Sequence, residues 1–132
     1  MNYEFDVGFV GSGNIAFALA QGIINGNSTV SILAADPWRL TEKSEKWENL
    51  SKSLKRTTDN DEVLKKCRII ILSIKPQLFK AVVEELIKTE ATDQVIVSVI
   101  AGVSLATLKR DFPCIKYHVR IMCNTTCTIQ QV

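Results

Sequence analysis

Six residues near the amino terminus, Gly11-Ser12-Gly13-Asn14-Ile15-Ala16, follow the pattern Gly-x-Gly-x-x-Ala. The first glycine of such a pattern allows a tight turn out of a strand. The second lets a phosphate group approach the backbone, and the small last residue lets the following helix lie close to the strand. Amides at the helix start then face an anion, aided by the helix dipole. The chemistry implied is capture of the pyrophosphate of a nicotinamide dinucleotide. The competing reading is a glycine turn kept for packing in a fold that binds something else. Asp36 lies about 20 residues beyond Ala16, where an acid meets the adenosine ribose. It also reads as the N-cap of a helix opening at Pro37, and the two roles are compatible. An acid here favours NAD, whereas nearby Arg39 offers a partner for a 2′-phosphate, so both cofactors stay open.

These residues need elements to position them. Val7–Val10 reads as a buried strand, and a helix runs from about Asn14 to Ile24, with Ala16, Ala18, Ala20 and Gly22 small enough for close approach to a sheet. Asn25-Gly26-Asn27 ends it. Val30–Ala35 is a second strand. The helix expected after Asp36-Pro37 carries Leu40, Trp47, Leu50 and Leu54 at helical spacing. A short strand near Lys55–Thr58 and a short helix capped near Asn60 follow. Arg68–Ile74 is a continuous aliphatic strand of the kind buried on both faces, and Lys75-Pro76 breaks it. Leu78, Val82, Val83, Leu86 and Ile87 line one helical face. Gln94–Val99, Ser104–Arg110 and Ile115–Ile121 read as strand, helix and strand. Such alternation means a doubly wound α/β fold around a mainly parallel, Rossmann-type sheet, built from right-handed βαβ units. The loops after Val10, Ala35, Ile74, Val99 and Ile121 would then meet at one edge, the carboxyl ends of the strands, where such sheets bind ligands.

The chain of 132 residues suits one domain. Its net charge of +2 gives no ground for nucleic-acid binding. The densest basic stretch, Lys43, Lys46, Lys52, Lys55 and Arg56, interleaves with Glu42, Glu45 and Glu48, which reads as a solvated helix face. Met1–Asp6 carries acids and no basic segment of the kind that opens a signal peptide. No apolar run approaches bilayer length, so no membrane partner is expected. These features point to the cytoplasm, with a soluble organelle matrix also open. Cys67, Cys114, Cys123 and Cys127 read as reduced thiols. His118, Cys123 and Cys127 lack an obvious fourth ligand, so no metal site is expected.

Further segments join the glycine turn. Gly8-Phe9-Val10 leads into it; Ser73-Ile74-Lys75-Pro76, Ser98-Val99-Ile100-Ala101-Gly102-Val103 and Arg120-Ile121-Met122-Cys123-Asn124-Thr125 follow in order. In order and spacing the chain resembles the amino-terminal domain of pyrroline-5-carboxylate reductase, over essentially residues 1–132. The resemblance implies an NAD(P)-binding Rossmann domain, incomplete at its carboxyl end, using NADPH or NADH. It implies cofactor contacts at Val10, Gly11, Ser12, Gly13, Asn14 and Ile15. Asn60 matches a family Asn near the cofactor, and its own residue-level reading is a helix cap. Ser73, Ile74, Lys75 and Pro76, with Val99, Ile100 and Ala101, match the loops bordering the nicotinamide and its ribose. Asn124 and Thr125 fall at the edge between nicotinamide and substrate. Lys75 and Pro76 also read as a solvated side chain and a helix start, and Gly102 as a glycine required by backbone shape.

The family usually shows Met-Pro-Asn-Thr-Pro where this chain has Met122-Cys123-Asn124-Thr125-Thr126, so both prolines are absent. The resemblance further implies an imino-acid substrate, hydride transfer to its imine carbon, and homo-oligomers formed through an all-helical second domain not found in these 132 residues. No catalytic side chain is expected, because the cyclic imine can react protonated, and His118 reads as a packed or edge histidine. The chain is thus expected to be the cofactor-binding part of such an enzyme, inactive alone. Rival readings are a related NAD(P)-dependent dehydrogenase domain and a non-catalytic nucleotide-binding or regulatory module.

Overall fold

The computed structural model describes residues 3–36, 47, 49–86 and 92–122. Strand β1 (Phe5–Val10) leads through the glycine turn into helix α1 (Asn14–Gly26). Strands β2 (Ile32–Ala35) and β3 (Leu54–Thr57) follow, then helix α2 (Asn60–Lys66) and strand β4 (Cys67–Leu72). A 3-10 turn (Pro76–Leu78) opens directly into helix α3 (Phe79–Leu86). Strand β5 (Thr92–Ser98), helix α4 (Leu105–Asp111) and strand β6 (Ile115–Arg120) complete the order. The six strands form one sheet in the order β3-β2-β1-β4-β5-β6, and all five pairings are parallel. This is the doubly wound arrangement expected, with its order reversing between β1 and β4.

A parallel sheet must be covered on both faces, and two apolar clusters do so here. Leu33, Ile70, Leu72 and Ile96 pack with Val63 and Leu64 of α2, Val82 and Leu86 of α3, and Leu108 of α4. Val7, Phe9, Ile32, Ala34 and Ile71 pack with α1 and Trp47 on the other side. Helix α1 buries Ala16, Ala20 and Ile24, one residue per turn, against that face. The Trp47 ring meets Phe9 and Phe17 edge-on, at centroid distances of 6.0 and 5.4 Å. Gly8 makes the opposite contact possible: a Cβ there would fall 2.6 Å from Val63 Cγ1 and onto Cys67 Sγ.

Several boundaries differ from the sequence reading, each for a local reason. Helix α1 runs two residues past Ile24, and the Asn27 amide closes it on the Ile23 carbonyl. Leu54, expected on a helix with Trp47, instead opens β3, paired with Ile32. Arg56 lies on a strand, as the short strand read near Lys55–Thr58 implies, and is half-buried rather than on a solvated helix face. The cap of α2 is Asp59, not Asn60: the Asp59 carboxylate accepts the Asp61 amide at 2.9 Å. Strand β4 stops at Leu72 because the Ser73 hydroxyl turns to donate to the Gly11 carbonyl at 2.9 Å. Buried Gln94 joins β5 to the α2–β4 junction by donating to the Leu64 and Cys67 carbonyls, both at 2.6 Å. Leu40 and the start of the helix expected after Asp36 lie outside the described residues, as does Ile87.

Candidate functional site

The carboxyl ends of β1, β2, β4 and β5 surround a cleft of about 600 Å³. Its floor is the glycine turn. Gly11 has φ +97°, a left-handed conformation that favours glycine, and a Cβ there would stand 2.9 Å from the Ser73 carbonyl oxygen. Its amide donates to the Ala35 carbonyl, while Ser73 donates its amide to Val10 and its hydroxyl to Gly11. The turn is thus clamped between β2 and the loop after β4.

Gly13 is the N-cap of α1, with φ −79° and ψ −163°, a backbone open to any residue. Among the described residues no side chain caps this helix, and its first turn holds no acid. The amides at this helix start that lack an intrahelical acceptor therefore have no side-chain partner among the described residues, and they lie at the cleft. Asp36, at the end of β2, is 4% exposed and accepts a hydrogen bond from the Ser12 hydroxyl at 3.0 Å. Arg56 Nη2 in turn donates to the Ser12 Oγ at 3.4 Å.

The opposite wall comes from two loops. Ser73, Ile74, Lys75 and Pro76 lie on one side, Val99, Ile100 and Ala101 on the other. The second loop is pinned: the Ile100 amide donates to Ser98 Oγ at 3.2 Å, and Arg120 Nε donates to the Val103 carbonyl at 2.8 Å. Gly102 takes φ +82° with open space around it, so its backbone conformation alone accounts for the glycine.

The structure therefore gathers Gly11 to Ile15, Asp36, Ser73 to Pro76 and Val99 to Ala101 in one place. Val10 lies beneath the cleft, fully buried, rather than on its surface. Asn60 does not line it. Its side chain is fully buried at the start of α2, where Nδ2 donates to Glu85 Oε2 at 3.4 Å. Asn124 and Thr125, together with Cys123, Cys127, Pro37 and Arg39, lie outside the described residues. His118 is half-buried, with Nε2 2.7 Å from the Phe112 carbonyl oxygen, a packed strand histidine. Sequence reasoning missed Leu78, which lines the cleft although its helical spacing assigned it to the core. It placed Arg56 on the short strand near Lys55–Thr58 but missed its meeting with Ser12, which strand order decides.

Residues 6–102 match the family described as NADP oxidoreductase, coenzyme F420-dependent. The chain belongs to this family. It is similar to pyrroline-5-carboxylate reductase 3 of Rattus norvegicus, with 35% identity over 131 residues covering 95% of this chain and 45% of that protein. A solved 1-pyrroline-5-carboxylate reductase from Streptococcus pyogenes matches at 28% identity and a TM-score of 0.67, over 91% of this chain and 43% of that one. A Plasmodium falciparum pyrroline carboxylate reductase solved with NADP bound shares the fold at 22% identity and a TM-score of 0.65, over 85% and 39% of the two chains. The chain thus spans less than half the length of the relatives it matches, and the resemblance read from its motifs and these matches agree.

Proposed function

We propose that this chain is the NADPH- or NADH-binding part of a pyrroline-5-carboxylate reductase. The observation that carries the reading is the uncapped start of α1 opening into a cleft bounded by the loops after β4 and β5. Glycine at 13 is not required by its backbone angles, which fits a position kept small for close approach of an anionic group. The amides of the first turn of α1 bind the pyrophosphate, and the helix dipole adds to the attraction. Asp36 lies where an acceptor for an adenosine ribose hydroxyl is needed, on the β2 side of the turn. Ser73 to Pro76 and Val99 to Ala101 border the nicotinamide end. When bound, the cofactor supplies the hydride that reduces the imine carbon of the substrate. The protein's part is orientation.

Titration of the pure chain with NADPH, followed by calorimetry, tests this. Saturable binding of NADPH is the expected outcome. Gly13→Val is expected to abolish binding while the far-UV circular dichroism stays native. Unchanged affinity in that variant would show that the turn is not the cofactor site.

A further inference from the structure

Three side chains from three parts of the chain meet at the β2 side of the cleft. Ser12 belongs to the glycine turn, Asp36 ends β2, and Arg56 sits on β3 opposite Ala34. Arg56 shares its strand face with Leu54, which packs into the cluster on the α1 side, so its side chain crosses β2 toward the turn. The Ser12 hydroxyl has one hydrogen, and Asp36 Oδ2 accepts it at 3.0 Å. The Arg56 guanidinium donates through Nη2 to the Ser12 Oγ at 3.4 Å. Ser12 and Asp36 line the cleft, and Arg56 stands one hydrogen bond behind them.

We propose that Arg56 sets the choice between NADPH and NADH, by offsetting the charge of Asp36 and fixing the Ser12 hydroxyl beside the adenosine ribose. This rests on the cofactor reading above. A carboxylate at the ribose repels a 2′-phosphate, and a guanidinium nearby is the side chain best suited to compensate, being planar, permanently charged and matched to phosphate oxygens. NADH, which lacks that phosphate, gains little from it. The discrimination is therefore a property of a residue on β3, distant in sequence from both the turn and Asp36.

Dissociation constants for NADPH and NADH in wild type, Arg56→Leu and Arg56→Lys decide the matter, because the two cofactors differ only in the 2′-phosphate. Arg56→Leu is expected to weaken NADPH about fivefold, the scale of a partly exposed ion contact, while NADH changes less than about twofold. Arg56→Lys keeps the charge and restores most of the NADPH affinity, and raising the salt concentration narrows the wild-type preference. An unchanged ratio in Arg56→Leu, or equal loss for both cofactors, overturns the assignment. If wild type binds neither cofactor, the cofactor reading itself fails and takes this inference with it.

Discussion

Helices α1 and α2 both begin at the same edge of the sheet, yet their first turns are built in opposite ways. Helix α2 closes itself. Asp59 caps it, Asp61 and Glu62 sit in its first turn, and Lys65 and Lys66 sit in its last. Asp61 pairs with Lys65 at 2.7 Å, and the Thr57 hydroxyl donates to Glu62 at 3.0 Å. Every charge there matches the helix dipole. Helix α1 has a glycine cap, no acid at its start and no base at its end. It is held instead by the burial of Ala16, Ala20 and Ile24 against the sheet. A helix that serves only structure satisfies its end with its own carboxylate. One that leaves its end open, in a cleft, leaves it for a ligand.

The largest effect is expected from breaking the turn that sets where α1 begins. Gly11→Ala places a methyl group at φ +97° against the Ser73 carbonyl and Ile74 Cγ2, which stand 2.9 and 2.8 Å from a Cβ at that position. Strain and overpacking together are expected to cost about 2–4 kcal/mol in urea denaturation. A loss below about 0.5 kcal/mol would mean the turn relaxes easily.

A reciprocal exchange of the two helix starts sharpens the contrast. Gly13→Asp gives α1 what α2 has, a capping carboxylate, and is expected to stabilise the fold by a few tenths of a kcal/mol. The same carboxylate occupies and repels the anion site, so NADPH affinity falls by roughly tenfold or more. Asp59→Ala removes the cap of α2, costs about 1 kcal/mol of stability and leaves NADPH affinity unchanged. Calorimetry and denaturation on both variants check the pair. Parallel changes in binding would erase the distinction between the two helices.

An effect that vanishes at neutral pH lies at the far end of α2, where Cys67 is the C-cap. Burial, with a lesser push from the Glu4 charge, raises its thiol from 9.0 to about 12. The native state therefore holds the thiol neutral more firmly than the unfolded chain does. Its contribution to stability is complete below about pH 9 and is lost as pH rises toward about 12. Wild type is expected to lose stability over that window relative to Cys67→Ala. Parallel pH curves would show that the thiol is not held neutral by the fold.

The glycine turn was legible from six adjacent residues because each of its demands is local: a left-handed turn, an open approach and a small contact. The alternation of strands and helices was legible for the same reason, through spacings of two and of three to four residues. Asn60 was not, because an asparagine before an amphipathic stretch fits a cap as well as Asp59 does, and only the packed chain shows Asn60 buried beside Glu85. Arg56 was placed on the short strand near Lys55–Thr58, but its meeting with Ser12 was not legible, because it depends on β3 lying beside β2.

The amino-acid sequence by itself determined the turn, the order of elements and the edge at which their loops meet. Tertiary structure alone decided that β3 lies outside β2, which loops share the cleft, and that Ser12, Asp36 and Arg56 converge on one oxygen. The reason is range: a turn or a helix is specified by contacts a few residues apart, whereas a meeting of residues 12, 36 and 56 depends on strand order and register across two crossovers.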